Sequence, residues 1–141
     1  NVAMACLRQV SFGLLDMAYY TMKNEFAADI LPFEKEAWKK AMITEQNEDT
    51  CMTVQFSHIM AGGYAAGYYS YKWSELLDAD AFSVFKAAQK AKKGTIFDKK
   101  AAKLYRENIL EKGGSEEPME LYRRFRGADP DPAALVRARG L

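Results

Sequence analysis

The spacing of hydrophobic residues predicts a chain built of helices. Between residues 2 and 22, Arg8 and Asp16 are the only charged residues, and the apolar positions form two stripes at helical spacing. A helix with two apolar faces is typical of an element buried in a larger body or in a membrane. A membrane span would need about 20 apolar residues, and Arg8, Gln9 and Asp16 interrupt this stretch. We therefore predict a buried helix with some of its partners outside this chain. The stripes comprise Leu7, Val10, Leu14 and Met17, and Phe12, Leu15, Tyr19 and Met22.

The N-terminal end shows neither an initiating Met nor a helix-capping signal. The chain begins with Asn1, and apolar residues follow at once. A signal peptide is disfavoured, because no basic segment precedes the apolar stretch. We therefore expect the chain to begin within a longer polypeptide.

The rest of the sequence predicts one helix after another. Acidic residues early and lysines late favour a helix over 33–43, after Pro32, and a polar connection follows over 46–50. A long helix is predicted from about Ala65, with Tyr69 and Trp73 in its core-facing flank. No strand-like alternation of polar and apolar residues is present, so the predicted fold class is all-α. Expected N-terminal caps are Asp98, Ser115 with Glu116 and Glu117, and Asp131 with Pro132, and expected C-terminal stops are Gly113, Gly127 and Gly140.

Composition narrows the possible classes of function. The chain has 141 residues, 49% of them hydrophobic and 28% charged, which is typical of one globular domain. Its net charge of +1 argues against a nucleic-acid partner, which would require a basic surplus. Cys6 and Cys51 are too few for a disulfide scaffold, and we interpret them as core residues. With a single histidine, the chain holds no evident ligand set for a catalytic metal.

Three tyrosines, Tyr64, Tyr68 and Tyr71, are spaced four and three residues apart, which would place them on one helix face. Such a stripe is most often core packing. Buried hydroxyls need partners, however, so three phenols in a row also fit a face partly exposed to a cleft. Both interpretations remain open at this point.

His58 precedes the pair Gly62–Gly63 and lies six residues before Tyr64. A lone histidine is commonly a structural hydrogen-bonding group. Alternatively, its N–H and the tyrosine O–H groups converge on one point, where they could stabilise an oxyanion or hold a peptide carbonyl or carboxylate. Such donors need another group to generate the nucleophile.

Two basic segments are best explained as solvated surface, with an anion site as the second interpretation for the arginines. The arginines are expected in a surface turn. The segments are Lys86, Lys90, Lys92, Lys93, Lys99, Lys100 and Lys103, and Arg123, Arg124 and Arg126.

Five stretches give the chain a specific resemblance to a known family. Residues 56–73 read FSHIMAGGYAAGYYSYKW, and shorter matches are DADAF at 78–82, ILEKGGS at 109–115, YRRFRG at 122–127 and RGL at 139–141. Together they resemble the C-terminal end of the thimet oligopeptidase and peptidyl-dipeptidase family of zinc metallopeptidases, most closely its bacterial peptidyl-dipeptidase and oligopeptidase A members. The resemblance extends over residues 1–141, which are identified as a C-terminal fragment of the catalytic domain. It does not separate the two activities.

The resemblance implies a helical zinc peptidase that hydrolyses short peptides. It implies catalytic roles for His58 and Tyr71, which would bind the scissile region and stabilise the oxyanion opposite the zinc. It also implies substrate binding by Gly62, Gly63, Tyr64 and Tyr68, with the glycine loop closing over the substrate. In the family, a His-Glu-x-x-His helix and a downstream Glu hold the zinc, which polarises water and the carbonyl.

This sequence departs from the family pattern because it contains no His-Glu-x-x-His. The zinc ligands and the general base would lie before Asn1, so we expect this chain alone to bind no catalytic zinc and to hydrolyse nothing. Expected partners are a short peptide and the remainder of its own polypeptide, with no nucleic acid and no membrane. We expect a monomer in the cytoplasm. The alternative is a non-catalytic, stand-alone helical interaction module, which predicts a stable monomer with no exposed apolar face.

Overall fold

The computed structural model describes residues 1–24, 26, 29–92 and 95–140, with the side chain of Lys92 left out. Throughout these residues the regular structure is helical and no strand occurs, which confirms the all-α prediction. The chain divides into two compact units, Asn1–Trp73 and Ser74–Leu141. The helices are α1 (Val2–Tyr20), α2 (Ile30–Trp38), α3 (Ser57–Met60), α4 (Ser70–Lys92), α5 (Lys99–Tyr105), α6 (Pro118–Arg126) and α7 (Ala133–Ala138).

The first helix has a capping residue that the sequence analysis failed to recognise. Asn1 precedes α1, and its side-chain oxygen accepts a hydrogen bond from the Met4 N–H at 3.3 Å. Asparagine is a favoured N-cap because its side chain satisfies one of the unpaired N–H groups of the first turn. The statement that no capping signal is present was therefore wrong.

Helix α1 buries one side against the core of the first unit. Leu15 is fully buried and packs with Trp38, Phe56 and Ile59. The stripe of Leu7, Val10, Leu14 and Met17 is only partly covered by the described residues, since Met17 is 36% exposed. The burial of both stripes is thus not found in these residues, and the prediction of partners outside the chain stays a prediction.

Helix α2 begins and ends earlier than predicted. It ends at Trp38 because a 3-10 turn follows at Lys39–Ala41. Its Glu34 is fully buried and accepts hydrogen bonds from the N–H groups of Met52 at 2.9 Å and Thr53 at 2.7 Å. Burial alone would raise the pKa of Glu34, but these donors and those of the Thr53 hydroxyl and Gln46 hold it below its usual value. Glu34 thereby ties the segment before α3 to α2.

The caps predicted in the second unit are largely confirmed. Asp98 accepts from the N–H groups of Lys100 and Ala101, and the helical path continues beyond α5 through a π-helical turn at Arg106–Leu110. The next helix is capped by Glu117 rather than Ser115. Asp131 accepts from the Ala133 N–H at 3.0 Å, just before α7. The glycines that follow the helical segments all have positive φ, at 53° for Gly113, 78° for Gly127 and 74° for Gly140.

Helix α6 carries Arg123, Arg124 and Arg126, so their expected position in a surface turn was wrong. Arg123 and Arg124 form exposed ion pairs with Asp129 and Glu116. Arg126 instead pairs with the fully buried Asp80. Each of these three arginines is paired with an acid of the same unit, so the pairs explain their charges without a bound anion.

The lysines of the other basic segment are exposed where their side chains are described, as a solvated surface predicts. Lys93 and the side chain of Lys92 lie outside the described residues. Within the part of the chain that is described, no helix is both long and apolar enough to cross a membrane.

Candidate functional site

Four aromatic side chains of the first unit form a cluster. They are His58 and three tyrosines, Tyr64, Tyr68 and Tyr71, which we call the tyrosine row; the four together are the ring cluster. The His58 ring centroid lies 5.7 Å from that of Tyr64 and 5.8 Å from that of Tyr68. The Tyr71 ring stacks on Tyr64 at 5.3 Å and lies 5.1 Å from Tyr68. The structure therefore brings together the side chains that the sequence singled out.

The tyrosine row does not lie on one helix face, contrary to the prediction. Tyr64 and Tyr68 belong to the turns at 61–69, and only Tyr71 lies on α4. Tyr64 is 40% exposed and His58 is also exposed, whereas Tyr68 and Tyr71 are half-buried. The rings thus meet because the turns fold against the start of α4, and their partial exposure is what the hydroxyl argument required.

A buried carboxylate from α1 explains why α4 begins at Ser70 and not near Ala65. Asp16 accepts hydrogen bonds from the backbone N–H of Ala66 at 2.9 Å and of Tyr68 at 2.8 Å. Ala66 has a φ of 53°, in the left-handed region. A right-handed helix cannot pass through that conformation, so the turns persist as far as Ser70.

Tyr69 and Trp73 are not core residues in the described structure. Tyr69 is 59% exposed and Trp73 is 45% exposed. The prediction assumed a helix running from Ala65 that would include Tyr69, whereas Trp73 lies on α4 as predicted and is exposed there. The backbone of Tyr69 instead lies in a turn that packs against Gly13 of α1, with 3.8 Å between the Tyr69 Cα and the position of a Gly13 Cβ.

Helix α3 presents His58 from a well-anchored turn. The neighbouring Phe56 and Ile59 are each 1% exposed and pack in the core of the first unit. The Tyr20 hydroxyl donates a hydrogen bond to the Ile59 carbonyl. Because the flanking side chains point inward, His58 faces out beside the tyrosine row.

The two glycines after α3 have different steric surroundings. A Cβ at Gly62 would lie 2.9 Å from the His58 carbonyl oxygen and 3.2 Å from that of Ser57, whereas a Cβ at Gly63 would meet nothing within 4 Å. The close approach expected of the pair is therefore required only at Gly62, whose absent side chain lets the chain turn back over α3.

We expect Gly62→Ala to lower the free energy of unfolding by about 1–3 kcal/mol, because the new methyl group would displace the backbone of α3. Gly63→Ala is the matched control and should change it by no more than about 0.5 kcal/mol. Urea denaturation of both variants measures the difference. Equal effects at the two positions would contradict the steric argument.

Two tyrosines of the cluster, Tyr68 and Tyr71, are held in the protonated form. A hydrogen bond with Tyr64, and to a smaller extent burial, raise the pKa of Tyr71 above its ordinary value. Burial also raises the pKa of Tyr68. The two hydroxyls therefore carry their protons throughout the neutral range. The arrangement can donate hydrogen bonds to a carbonyl or carboxylate oxygen.

The residues at hand do not fit a catalytic zinc site. Among the described residues, no group of three or more His, Cys, Asp or Glu side chains is placed to hold a metal ion. His58 is the only histidine of the chain, and its ring neighbours are phenols and Phe56. Cys6 and Cys51 are half-buried free thiols. Any zinc used by the complete protein would have to be held by other residues.

Sequence analysis missed the part that Asp16 plays next to the ring cluster. Its charge was used only to argue against a membrane span. An acid in an otherwise apolar stretch also indicates a carboxylate that is buried with the helix. A carboxylate that is buried needs donors to replace its lost hydration. The pattern could have indicated that Asp16 meets unpaired backbone N–H groups, but not which ones.

Comparison with known proteins places these features in a family. The model of peptidase family M3 matches residues 1–141. The chain is 43% identical, over its full length, to oligopeptidase A of Haemophilus influenzae. It is 39% identical over 96% of its length to the probable cytosolic oligopeptidase A of Arabidopsis thaliana, and 33% identical over 94% to the dipeptidyl carboxypeptidase of Escherichia coli. It spans only 20%, 19% and 19% of these three relatives. Since the family model extends over the whole sequence, the chain belongs to peptidase family M3.

Proposed function

We propose that this chain supplies the substrate-facing wall of a peptidase that hydrolyses short peptides. The observation that carries the proposal is the ring cluster, in which each ring lies 5.1–5.8 Å by centroid from two of the others and is partly exposed. Membership of peptidase family M3 supports peptide-bond hydrolysis as the reaction. Residues 1–141 are proposed to be a C-terminal part of the catalytic domain.

In this proposal His58 and Tyr71 are the catalytic residues. When water adds to the scissile carbonyl, the carbonyl oxygen becomes an oxyanion, and preorganised N–H and O–H donors stabilise it more strongly than they stabilise the substrate. Gly62, Gly63, Tyr64 and Tyr68 are proposed to bind the peptide around that carbonyl. The raised pKa of Tyr71 supports a donating role, because a protonated phenol is the form that stabilises negative charge.

The nucleophile and the general base are proposed to come from outside this chain, since the ring cluster holds neither. A zinc ion, which the family resemblance implies, would be held by residues of the complete protein and would polarise water and the carbonyl. The chain by itself is therefore proposed to be inactive. The relatives include both oligopeptidases and dipeptidyl carboxypeptidases, so we propose hydrolysis of short peptides as the function, without separating the two activities. The complete protein is proposed to be a monomer in the cytoplasm.

Exposed apolar side chains favour this proposal over a stand-alone interaction module. The module predicts no exposed apolar face, yet Met17 and Tyr20, three residues apart on α1, are 36% and 44% exposed. Neighbouring apolar side chains at the surface are typical of contacts with further protein. The remainder of the same polypeptide is the partner proposed for them.

A peptide-hydrolysis assay with fluorogenic short peptides tests the proposal. We expect the complete zinc-supplemented protein to cleave them, and the 141-residue chain at the same concentration to show no cleavage above the uncatalysed rate. Addition of a chelator to the complete protein is the control for metal dependence. Cleavage by the purified chain alone, or none by the complete protein, would overturn the proposal.

A further inference from the structure

The carboxylate of Asp16 is buried directly beneath the turns that carry two tyrosines of the ring cluster. It lies on α1 with no exposed surface. Its Oδ1 accepts from the Ala66 N–H at 2.9 Å, and its Oδ2 accepts from the Tyr68 N–H at 2.8 Å. Each oxygen thus binds a different peptide group of the same turn, in a setting where hydrogen bonds to a charged acceptor are strong.

The backbone between these two bonds adopts a conformation that needs support. Ala66 has a φ of 53°. A left-handed conformation is unfavourable for a residue with a Cβ, so an unsupported turn would tend to leave it. Asp16 accepts hydrogen bonds from the N–H groups of Ala66 and Tyr68, which lie before and after the Ala66 Cα, and thereby stabilises the strained turn. Strain that persists because its surroundings enforce it is often found where side chains are held for function.

We propose that Asp16 is a positioning residue of the ring cluster, which fixes the backbone from which Tyr64 and Tyr68 project toward Tyr71. This inference rests on the proposed function, in which the cluster binds the scissile region. Asp16 is buried under the turn and contacts no substrate in this scheme; it acts through the tyrosine row. Misplacing reacting groups by about 1 Å can cost up to about 100-fold in rate, even when the mutation is far from the chemistry.

The informative variant is Asp16→Asn in the complete protein. Asparagine has the same size but replaces one acceptor oxygen by an N–H₂ group, which would face a backbone N–H and leave it without an acceptor. We expect kcat to fall roughly 10- to 100-fold with a smaller change in KM. In the Tyr71→Phe background the same substitution should reduce kcat by a much smaller factor, because its effect is exerted through the row.

Glu34→Gln is the matched control. Glu34 is also a fully buried carboxylate of the first unit that accepts from two backbone N–H groups, but those belong to Met52 and Thr53. Both variants should lower the temperature of unfolding, and only Asp16→Asn should lower kcat in molecules that remain folded. If the two variants lower kcat equally, Asp16 is merely structural and the proposal is overturned.

Amide hydrogen exchange separates this inference from the proposed function. Loss of a strong acceptor should speed exchange at the Ala66 and Tyr68 N–H groups by about tenfold or more in Asp16→Asn, and leave it unchanged in Glu34→Gln. If Tyr71→Phe has no effect on peptide hydrolysis, the proposed function fails while the exchange result still tests the positioning. Unchanged exchange in Asp16→Asn would refute the positioning itself.

Discussion

Replacing Tyr71 by Phe in the complete protein is expected to lower kcat for peptide hydrolysis by roughly 100- to 1,000-fold, with KM changed only a few-fold. The substitution removes one hydroxyl and leaves the ring that stacks on Tyr64 at 5.3 Å. An oxyanion donor acts mainly in the transition state, so its loss appears in kcat and in kcat/KM to similar extents. Steady-state kinetics on a chromogenic short peptide measure both constants.

Tyr69→Phe is the matched control for this prediction. It makes the same chemical change two residues earlier, on a side chain that is 59% exposed and outside the ring cluster. We expect its kcat to equal that of the unmodified protein. A Tyr71→Phe variant with unchanged kcat, or an equal loss in Tyr69→Phe, would remove Tyr71 from the catalytic assignment.

The pH dependence follows from the direction of the Tyr71 pKa. The hydrogen bond with Tyr64 favours the protonated phenol, so the pKa lies above its ordinary value. The donor proton is therefore present throughout the neutral range and is lost only as the pH rises past that raised pKa. Any loss of activity around neutral pH must then come from other groups.

Helix ends in the second unit could be predicted from the sequence because their causes are local. Asp98 binds N–H groups only two and three residues ahead, and Gly113 and Gly127 take φ values of 53° and 78° that most other residues avoid. A reader of the sequence sees both partners of each interaction within one turn. The same holds for Asp131 and the start of α7.

The start of α4 could not be predicted, because its cause is distant in sequence. The backbone N–H groups of Ala66 and Tyr68 donate hydrogen bonds to Asp16, which lies 50 and 52 positions earlier. Local helix propensity over 65–69 is overridden by this tertiary contact. The exposure of Tyr69 accompanies the same shift, since Tyr69 lies in the turns before α4 and not on the helix.

The proximity of the four rings agrees with the grouping made from the sequence, but the predicted helix face was wrong. Spacing grouped Tyr64, Tyr68 and Tyr71, and the rings do meet, but through a turn and not along a helix face. The proximity of His58 to the row depends on the chain reversal at Gly62, which sequence alone indicated only as a permissive position. The roles assigned to these residues stay predictions.

A second large effect is expected in the second unit, where Arg126→Met should lower the free energy of unfolding by roughly 3 kcal/mol. Asp80 is fully buried and accepts from the Arg126 Nε at 2.9 Å and from the Tyr122 hydroxyl at 2.7 Å. Removing the guanidinium leaves a buried charge with no cation beside it, held only by hydrogen bonds from Tyr122 and the backbone of Asp131. Losses of this kind reach about 3–5 kcal/mol, and the lower end applies because the Arg126 side chain is 26% exposed.

The pH dependence of this loss distinguishes a charge effect from a packing effect. Burial would raise the pKa of Asp80, but the hydrogen bonds from Arg126 and Tyr122 outweigh it and hold the pKa below its ordinary value. A lowered folded-state pKa contributes stability that is present above the unfolded value of about 3.9 and is lost as the pH falls through the folded value. The difference between the unmodified protein and Arg126→Met should therefore be full at pH 7 and shrink below about pH 4.

Arg124→Met, which breaks only the exposed pair with Glu116, should show little difference at either pH. Urea denaturation across this pH range decides between the charge effect and the packing effect. A loss of unfolding free energy in Arg126→Met that does not change with pH would mean that the guanidinium stabilises the unit by packing alone.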